Sequence, residues 1–259
     1  TEIKGKTLGV IGLGSIGAKV AMACSSLGMN VIGYDPNLTV ESAWDLNGEN
    51  IKRVNDIESC ISSSDYVTLH VPMIKGVTDN LIDEDKIKIM KPGANLLNFS
   101  RSELVDHSAL RNCIENGIFN GIYCSDFPNK DLQGYSQYIS IPHLGASTKE
   151  AEDNSAAMAS ETIIDFFENG SIKNSVNFPT TELKKRKKDT TRICIVNENK
   201  GGMLMKINNL LYEEDLNIDQ QINTSRDEIA YNVIDIDTTV EAKDFTTLHN
   251  QLEKISGIL

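Results

Sequence analysis

The residues Gly12-Leu13-Gly14-Ser15-Ile16-Gly17 carry the spacing G-x-G-x-x-G, which brings a backbone close enough to a phosphate to hydrogen-bond it. Gly12 permits a tight turn, Gly14 leaves room for a pyrophosphate, and Gly17 lets the following helix pack against the preceding strand. A helix starting at this point presents unpaired N–H groups and the positive end of its dipole to the phosphates. Asp35 stands eighteen residues after Gly17, about where a dinucleotide fold places the acid that hydrogen-bonds a ribose. A carboxylate there repels a 2′-phosphate, so the pattern predicts NAD as the cofactor in preference to NADP.

His143 and Arg101 supply a second kind of chemistry. An imidazole titrates near neutrality and can exchange a proton with a substrate hydroxyl. A guanidinium pairs with a carboxylate through two parallel hydrogen bonds. His143 follows Pro142 and precedes Leu144-Gly145-Ala146-Ser147-Thr148 and a helical stretch, a loop setting that favours chemistry over packing. His70, at a strand end before Pro72, reads as a cofactor-loop or packing residue, and His107 and His249 lie in helical stretches. No His/Cys pair has ligand spacing, so no metal site is predicted.

These residues need a frame. Short apolar runs at Thr7–Ile11, Asn30–Tyr34, Tyr66–His70, Asn95–Asn98, Ile118–Cys124 and Tyr138–Ile141 alternate with amphipathic stretches, the pattern of strands and crossover helices. That alternation predicts an α/β fold: a doubly wound parallel sheet, Rossmann-like, with helices on both faces. Residues 1–150 are expected to form the dinucleotide domain. Residues 151–180 are expected to be a crossover helix and return toward a missing substrate domain, the alanine-rich helical pattern running Thr148–Asn169 and ended by Asn169-Gly170. Residues 181–190 contain Lys184-Lys185-Arg186-Lys187-Lys188, read as a solvated basic linker. Residues 191–259 run strand (Arg192–Asn197), helix (Met203–Glu214), strand (Asn217–Thr224), strand (Ile229–Asp237), helix (Asp244–Ile255), which is a ferredoxin-like α+β unit short of one strand.

Composition narrows the classes. Apolar residues make up 40% and charged residues 24% of the 259, a globular profile. The net charge of −12 opposes general affinity for nucleic acid or anionic membranes. No apolar run reaches the roughly 20 residues a membrane span requires. Five cysteines without a CxxC pair suit a reducing, cytoplasmic setting.

Several segments together resemble the D-isomer-specific 2-hydroxyacid dehydrogenase family: Gly5-Lys6-Thr7-Leu8-Gly9-Val10-Ile11-Gly12, Leu69-His70-Val71-Pro72 and Met90-Lys91-Pro92-Gly93-Ala94. Asn98-Phe99-Ser100-Arg101, with Leu104-Val105-Asp106, is similar to the family's arginine motif, and Pro142-His143-Leu144-Gly145 to its histidine motif. The resemblance implies His143 as acid/base and Arg101 as substrate clamp. It implies Gly12, Gly14, Ser15, Ile16, Gly17, Asp35, His70, Pro72, Ser100, Asp126 and Gly145 around NAD. The family usually supplies a glutamate to orient the histidine. A straight match puts Lys130 in that place, and Ser125 where an aspartate would face the nicotinamide amide. Either Asp126 takes over a role or the pair is altered.

The trailing unit is similar to ACT domains, which narrows the resemblance to the phosphoglycerate dehydrogenase branch. That branch implies 3-phosphoglycerate as substrate, L-serine as a possible effector held by Asn197, Asn199 and Asn217, and a homo-oligomer, dimer or tetramer. Asn197 stands where a histidine is often found, and Gly201 where the loop usually has proline. The start at Thr1 and the missing strand lead to the expectation of a fragment lacking its amino-terminal part and last strand, with turnover by the fragment in question. Two alternatives stay open: a catalytically silent protein sensing serine or NAD, and a dehydrogenase of another 2-hydroxy acid.

Overall fold

The computed structural model describes residues 2–38, 46, 51–237 and 245–259, and the chain divides into two compact units, Thr1–Leu144 and Gly145–Leu259.

The first unit is built on seven parallel strands: β1 (Thr7–Ile11), β2 (Asn30–Tyr34), β3 (Ile51–Arg53), β4 (Tyr66–Leu69), β5 (Asn95–Asn98), β6 (Tyr123–Ser125) and β7 (Tyr138–Ser140). Their order across the sheet is β3-β2-β1-β4-β5-β6-β7. Helices α1 (Ser15–Ser26), α2 (Ile57–Ser62), α3 (Glu84–Lys88) and α4 (His107–Glu115) lie between them in the chain. Chain direction across the sheet reverses at β1, which pairs with β2 on one side and β4 on the other. In open α/β sheets that switch point opens the crevice where ligands bind, at the carboxyl ends of the strands.

Strands covered on both faces need nearly continuous apolar sequence. Accordingly Val10, Ile11, Val67, Leu69 and Leu96 are almost wholly buried, joined by Ile87, Leu110 and Tyr123. Truncating any of the leucines to alanine is expected to cost about 2–5 kcal/mol. Side-chain caps start the helices: Asp56 accepts from Ser59 N, Asp83 from Lys86 N, and Asp106 from Ser108 and Ala109 N.

Two expectations change. The apolar run Ile118–Cys124 is extended only from Tyr123. Gly117 turns the chain with φ +69°, both Ile118 N and Phe119 N bond Cys113 O, and Phe119 is buried. A short apolar run does not distinguish a strand from a buried turn. Strand β3, only three residues long and mostly exposed, has too little pattern to be read from sequence.

In the second unit, helix α5 (Lys149–Asn169) starts at the Thr148 cap and ends at Gly170 in the left-handed region. No residue along it is buried. Strands β8 (Thr190–Glu198), β9 (Ile218–Arg226) and β10 (Ile229–Asp237) form an antiparallel sheet in the order β8-β10-β9. Helices α6 (Met203–Glu213) and α7 (Phe245–Glu253) cover one face, where Ile207, Leu211, Leu248 and Leu252 meet Ile195, Ile234 and Ile236. Ile172, Phe178 and Leu183 pack on Tyr231 and Val233 of the other face. The Arg192 guanidinium forks onto Asp235 at 2.6 and 2.7 Å and also donates to Asn169 O and Lys184 O. One buried ion pair thus ties the end of α5 and the basic linker to the sheet. Gly257–Leu259 runs along the outer edge of β8, with Glu198 N bonded to Gly257 O and Leu259 N to Val196 O.

Candidate active site

Parallel strands send all their following loops to one edge of the sheet, and adjacent strands stand about 4.8 Å apart. The loops after β2, β1, β4, β5, β6 and β7 therefore present, in spatial order, Asp35, the glycine turn, His70, Ser100-Arg101, Asp126 and His143.

The glycine turn is tight for identifiable reasons. Gly12 adopts φ +92°, and a Cβ there would lie 2.7 Å from His70 O. A Cβ on Gly17 would fall 1.9 Å from Gly12 O, which explains why the helix can descend directly on the strand. Gly14, Ser15 and Ile16 are exposed, and α1 begins at Gly14 without a side-chain cap. Its first N–H groups are therefore left for an anion. Asp35 braces the turn: its carboxylate accepts from Leu13 N at 2.8 Å and from Asn37 N at 2.8 Å. A carboxylate has about four acceptor sites, so ribose hydroxyls can still be received.

His70 lies beneath this turn, its Nε2 3.0 Å from Thr68 Oγ1. Burial pushes its imidazole pKa down. Thr78 Oγ1 donates to Pro72 O and Ser100 Oγ to Val71 O, which joins the loops after β4 and β5. Arg101 is exposed and donates from one guanidinium nitrogen to Ser100 O at 2.7 Å. Among the described residues it forms no salt bridge, so most of its donors remain for a substrate carboxylate.

The partner of His143 is Asp126. Asp126 Oδ2 lies 2.8 Å from His143 Nδ1; the carboxylate is buried, while the imidazole is 60% exposed. The Phe127 ring packs on the imidazole, centroids 4.9 Å apart. Lys130, where a glutamate was sought, lies in a short 3₁₀ turn. Ser125 is fully buried, and its Oγ accepts from Phe127 N. Asp126, placed among the cofactor residues by the resemblance, thus stands against Nδ1 of the histidine. Its second oxygen, Oδ1, is buried without a partner, and an orphaned acceptor of this kind fits a donor on a bound ligand. Sequence offered no signal for Phe127 or for the strand residues behind the pair.

Gly145 falls in the second unit. The three asparagines assigned to an effector do not share one condition. Asn197 is 1% exposed: its Nδ2 donates to Glu198 O, and its Oδ1 accepts from Asn232, which in turn accepts from Asn223. The amide is engaged in a ladder crossing the sheet. Asn199 Nδ2 donates to Asp227 O and Asn217 Nδ2 to Asp237 Oδ2. Among the described residues no group of three or more His, Cys, Asp or Glu is placed to hold a metal. No helix among them is long and apolar enough to cross a membrane.

A parallel sheet with a glycine turn at its switch point and a histidine–carboxylate pair at the same edge defines a dinucleotide-dependent oxidoreductase fold. The chain belongs to the D-isomer specific 2-hydroxyacid dehydrogenase family, whose NAD binding domain matches residues 1–146. NAD is the cofactor of that domain. The chain is 34% identical to D-3-phosphoglycerate dehydrogenase of Haemophilus influenzae over 268 residues, all of this chain and 62% of that protein. It is 34% identical to the enzyme of the same name from Dictyostelium discoideum, over 97% of this chain and 63% of that one. It therefore spans a little over three-fifths of these relatives' length. Among solved structures, the NAD⁺-bound 3-phosphoglycerate dehydrogenase of Entamoeba histolytica aligns with TM-score 0.58 and 28% identity, covering 71% of this chain and 57% of that one. D-lactate dehydrogenase with NAD⁺ from Lactobacillus jensenii aligns with TM-score 0.56 and 27% identity, covering 65% and 54%.

Proposed function

We propose that the protein performs NAD-dependent oxidation of 3-phosphoglycerate to 3-phosphohydroxypyruvate, the entry to L-serine synthesis. The observation that carries this reading is the 2.8 Å contact between Asp126 Oδ2 and His143 Nδ1, at the sheet edge that also carries the glycine turn. An ionised Asp126 holds the proton on Nδ1 and leaves the Nε2 lone pair to accept the substrate's hydroxyl proton. Arg101 receives the substrate carboxylate and, through it, polarises the carbonyl that forms at the adjacent carbon. Bound NAD supplies the hydride acceptor. The glycine turn and the start of α1 hold its pyrophosphate, and Asp35 its ribose.

The relatives named phosphoglycerate dehydrogenase support the substrate. The likeness to a D-lactate dehydrogenase favours a second reading, a different 2-hydroxy acid. A panel comparing 3-phosphoglycerate with D-lactate and D-glycerate, followed by NADH absorbance, separates them: preference for the phosphorylated acid supports the first, and turnover of only the others overturns it. The protein as a silent sensor is a third reading, which the complete His143–Asp126 pair disfavours. We further infer an ACT-like trailing unit, supported by its βαββα order, with L-serine as effector through Asn199 and Asn217. A homo-oligomer and a cytoplasmic setting complete the reading, the latter in keeping with five free cysteines.

A further inference from the structure

The loop that carries Asp126 has little regular structure of its own, yet its carboxylate must meet His143 from the neighbouring strand. Tyr138, the first residue of β7, spans the gap: its hydroxyl donates to Phe127 O at 3.0 Å and accepts from Asn129 N at 2.9 Å. One side chain on the strand leading to His143 therefore holds two backbone groups of the segment that directly follows His143's partner. The Tyr138 ring stacks on Tyr123 of β6, centroids 5.7 Å apart and planes within 22°. Tyr123 is fully buried, which fixes the ring that Tyr138 leans on. The Tyr123 hydroxyl lies 3.2 Å from His107 Nε2 and 3.5 Å from Asn98 Nδ2, and Asn98 donates to Arg101 O at 2.8 Å. The same stack thus reaches the backbone of the proposed substrate clamp.

We propose that Tyr138, seated on Tyr123, is a positioning residue that keeps Asp126 on Nδ1 of His143 and so sets the imidazole tautomer with Nε2 free to take a proton. The inference rests on the reading of His143 as proton acceptor. Among the described residues, the Tyr138 hydroxyl bonds Phe127 and Asn129 and no residue of the glycine turn. Losing the hydroxyl leaves Phe127 O and Asn129 N without their shared partner, and the loop and its carboxylate are freed to move away from a half-exposed ring. A displacement of about 1 Å in such a pair is enough to cost on the order of 10²-fold in rate.

The test is the neutral-imidazole tautomer of His143, read by ¹H–¹⁵N NMR on the chain as it stands, in the parent protein, Tyr138→Phe, Asp126→Asn and Tyr135→Phe. Tyr138→Phe keeps the stack on Tyr123, so the fold is retained, and thermal melts verify it. Tyr135, whose hydroxyl bonds Glu115, is a control that removes a hydroxyl unconnected to the Asp126 loop. The expected result is an Nδ1–H tautomer in the parent and in Tyr135→Phe, lost toward Nε2–H in Tyr138→Phe and Asp126→Asn. Turnover by Tyr138→Phe should fall about 10- to 100-fold in kcat with KM for NAD unchanged within about twofold. An unchanged Nδ1–H tautomer in Tyr138→Phe overturns the proposal, as does a parent without that tautomer. If the parent shows the tautomer but the full-length protein oxidises no hydroxy acid, the functional reading fails while the role of Tyr138 is still decided by the NMR comparison.

Discussion

Asp126 and His143 meet carboxylate to imidazole at 2.8 Å, although they follow different strands and seventeen residues separate them in the chain. The carboxylate is buried and sits on one ring nitrogen, so a change at either residue should act on the same proton. His143→Ala is expected to lower kcat/KM for the hydroxy acid by on the order of 10²–10⁴. Asp126→Asn should lose at least a tenfold share of that, and the double variant should lose little more than His143→Ala alone, because residues acting as one unit are not additive. Steady-state kinetics on the four proteins decide it. Additive losses would separate the two roles.

Asp35 accepts from the backbone of the glycine turn at Leu13 N and is the acid proposed to receive the ribose. Asp35→Ala should weaken NAD more than NADP, since it removes both a hydroxyl acceptor and the charge that repels a 2′-phosphate. Calorimetric titration with each dinucleotide reads the difference, and equal weakening would take Asp35 out of the ribose site.

Gly17→Ala places a methyl group 1.9 Å from Gly12 O. The helix must lift off the strand to make room, at a cost of about 1–3 kcal/mol for an overpacked site. Chemical denaturation should show that loss, and NAD titration a loss of affinity, because the same carbonyl shapes the turn. Gly14→Ala meets nothing within 4 Å, so it should leave stability nearly unchanged while still obstructing the pyrophosphate.

In the second unit the Asp235 carboxyl is held below its ordinary pKa. Burial works against this, but hydrogen bonds from Arg192 and Gln220 and the guanidinium charge outweigh it. A carboxylate with a depressed folded-state pKa contributes stability that is fully present above its unfolded value of about 3.9 and is lost as pH falls through the folded value. Asp235→Asn strands a buried guanidinium, so at neutral pH it should destabilise the unit by about 3–5 kcal/mol. The gap from the parent should narrow below about pH 4, which urea denaturation at several pH values would show.

Much of the first unit could be read from local pattern. The strand before Gly12, the glycine spacing and the helix after it are contiguous, so the turn is specified by residues that touch their own neighbours. Asp35 could be placed because one strand–helix–strand repeat has a nearly constant length. The cap at Thr148 and the stop at Gly170 are equally local.

Which acid serves His143 could not be read this way. From sequence either Asp126 took over a role or the pair was altered, and the choice depends on which side chains at the end of β6 point into the sheet and which toward β7. Register between strands settles that: Ser125 pairs with Ser140 and turns inward, leaving Asp126 to reach across. The same holds for Asn197, whose amide looked available in a loop motif but is consumed by Asn232 from a strand thirty-five residues away. Spacing along the chain determined where a glycine turn, an acid after the second strand and a histidine would occur. Contacts between distant strands, which no local pattern records, decided which polar groups face a ligand and which satisfy each other.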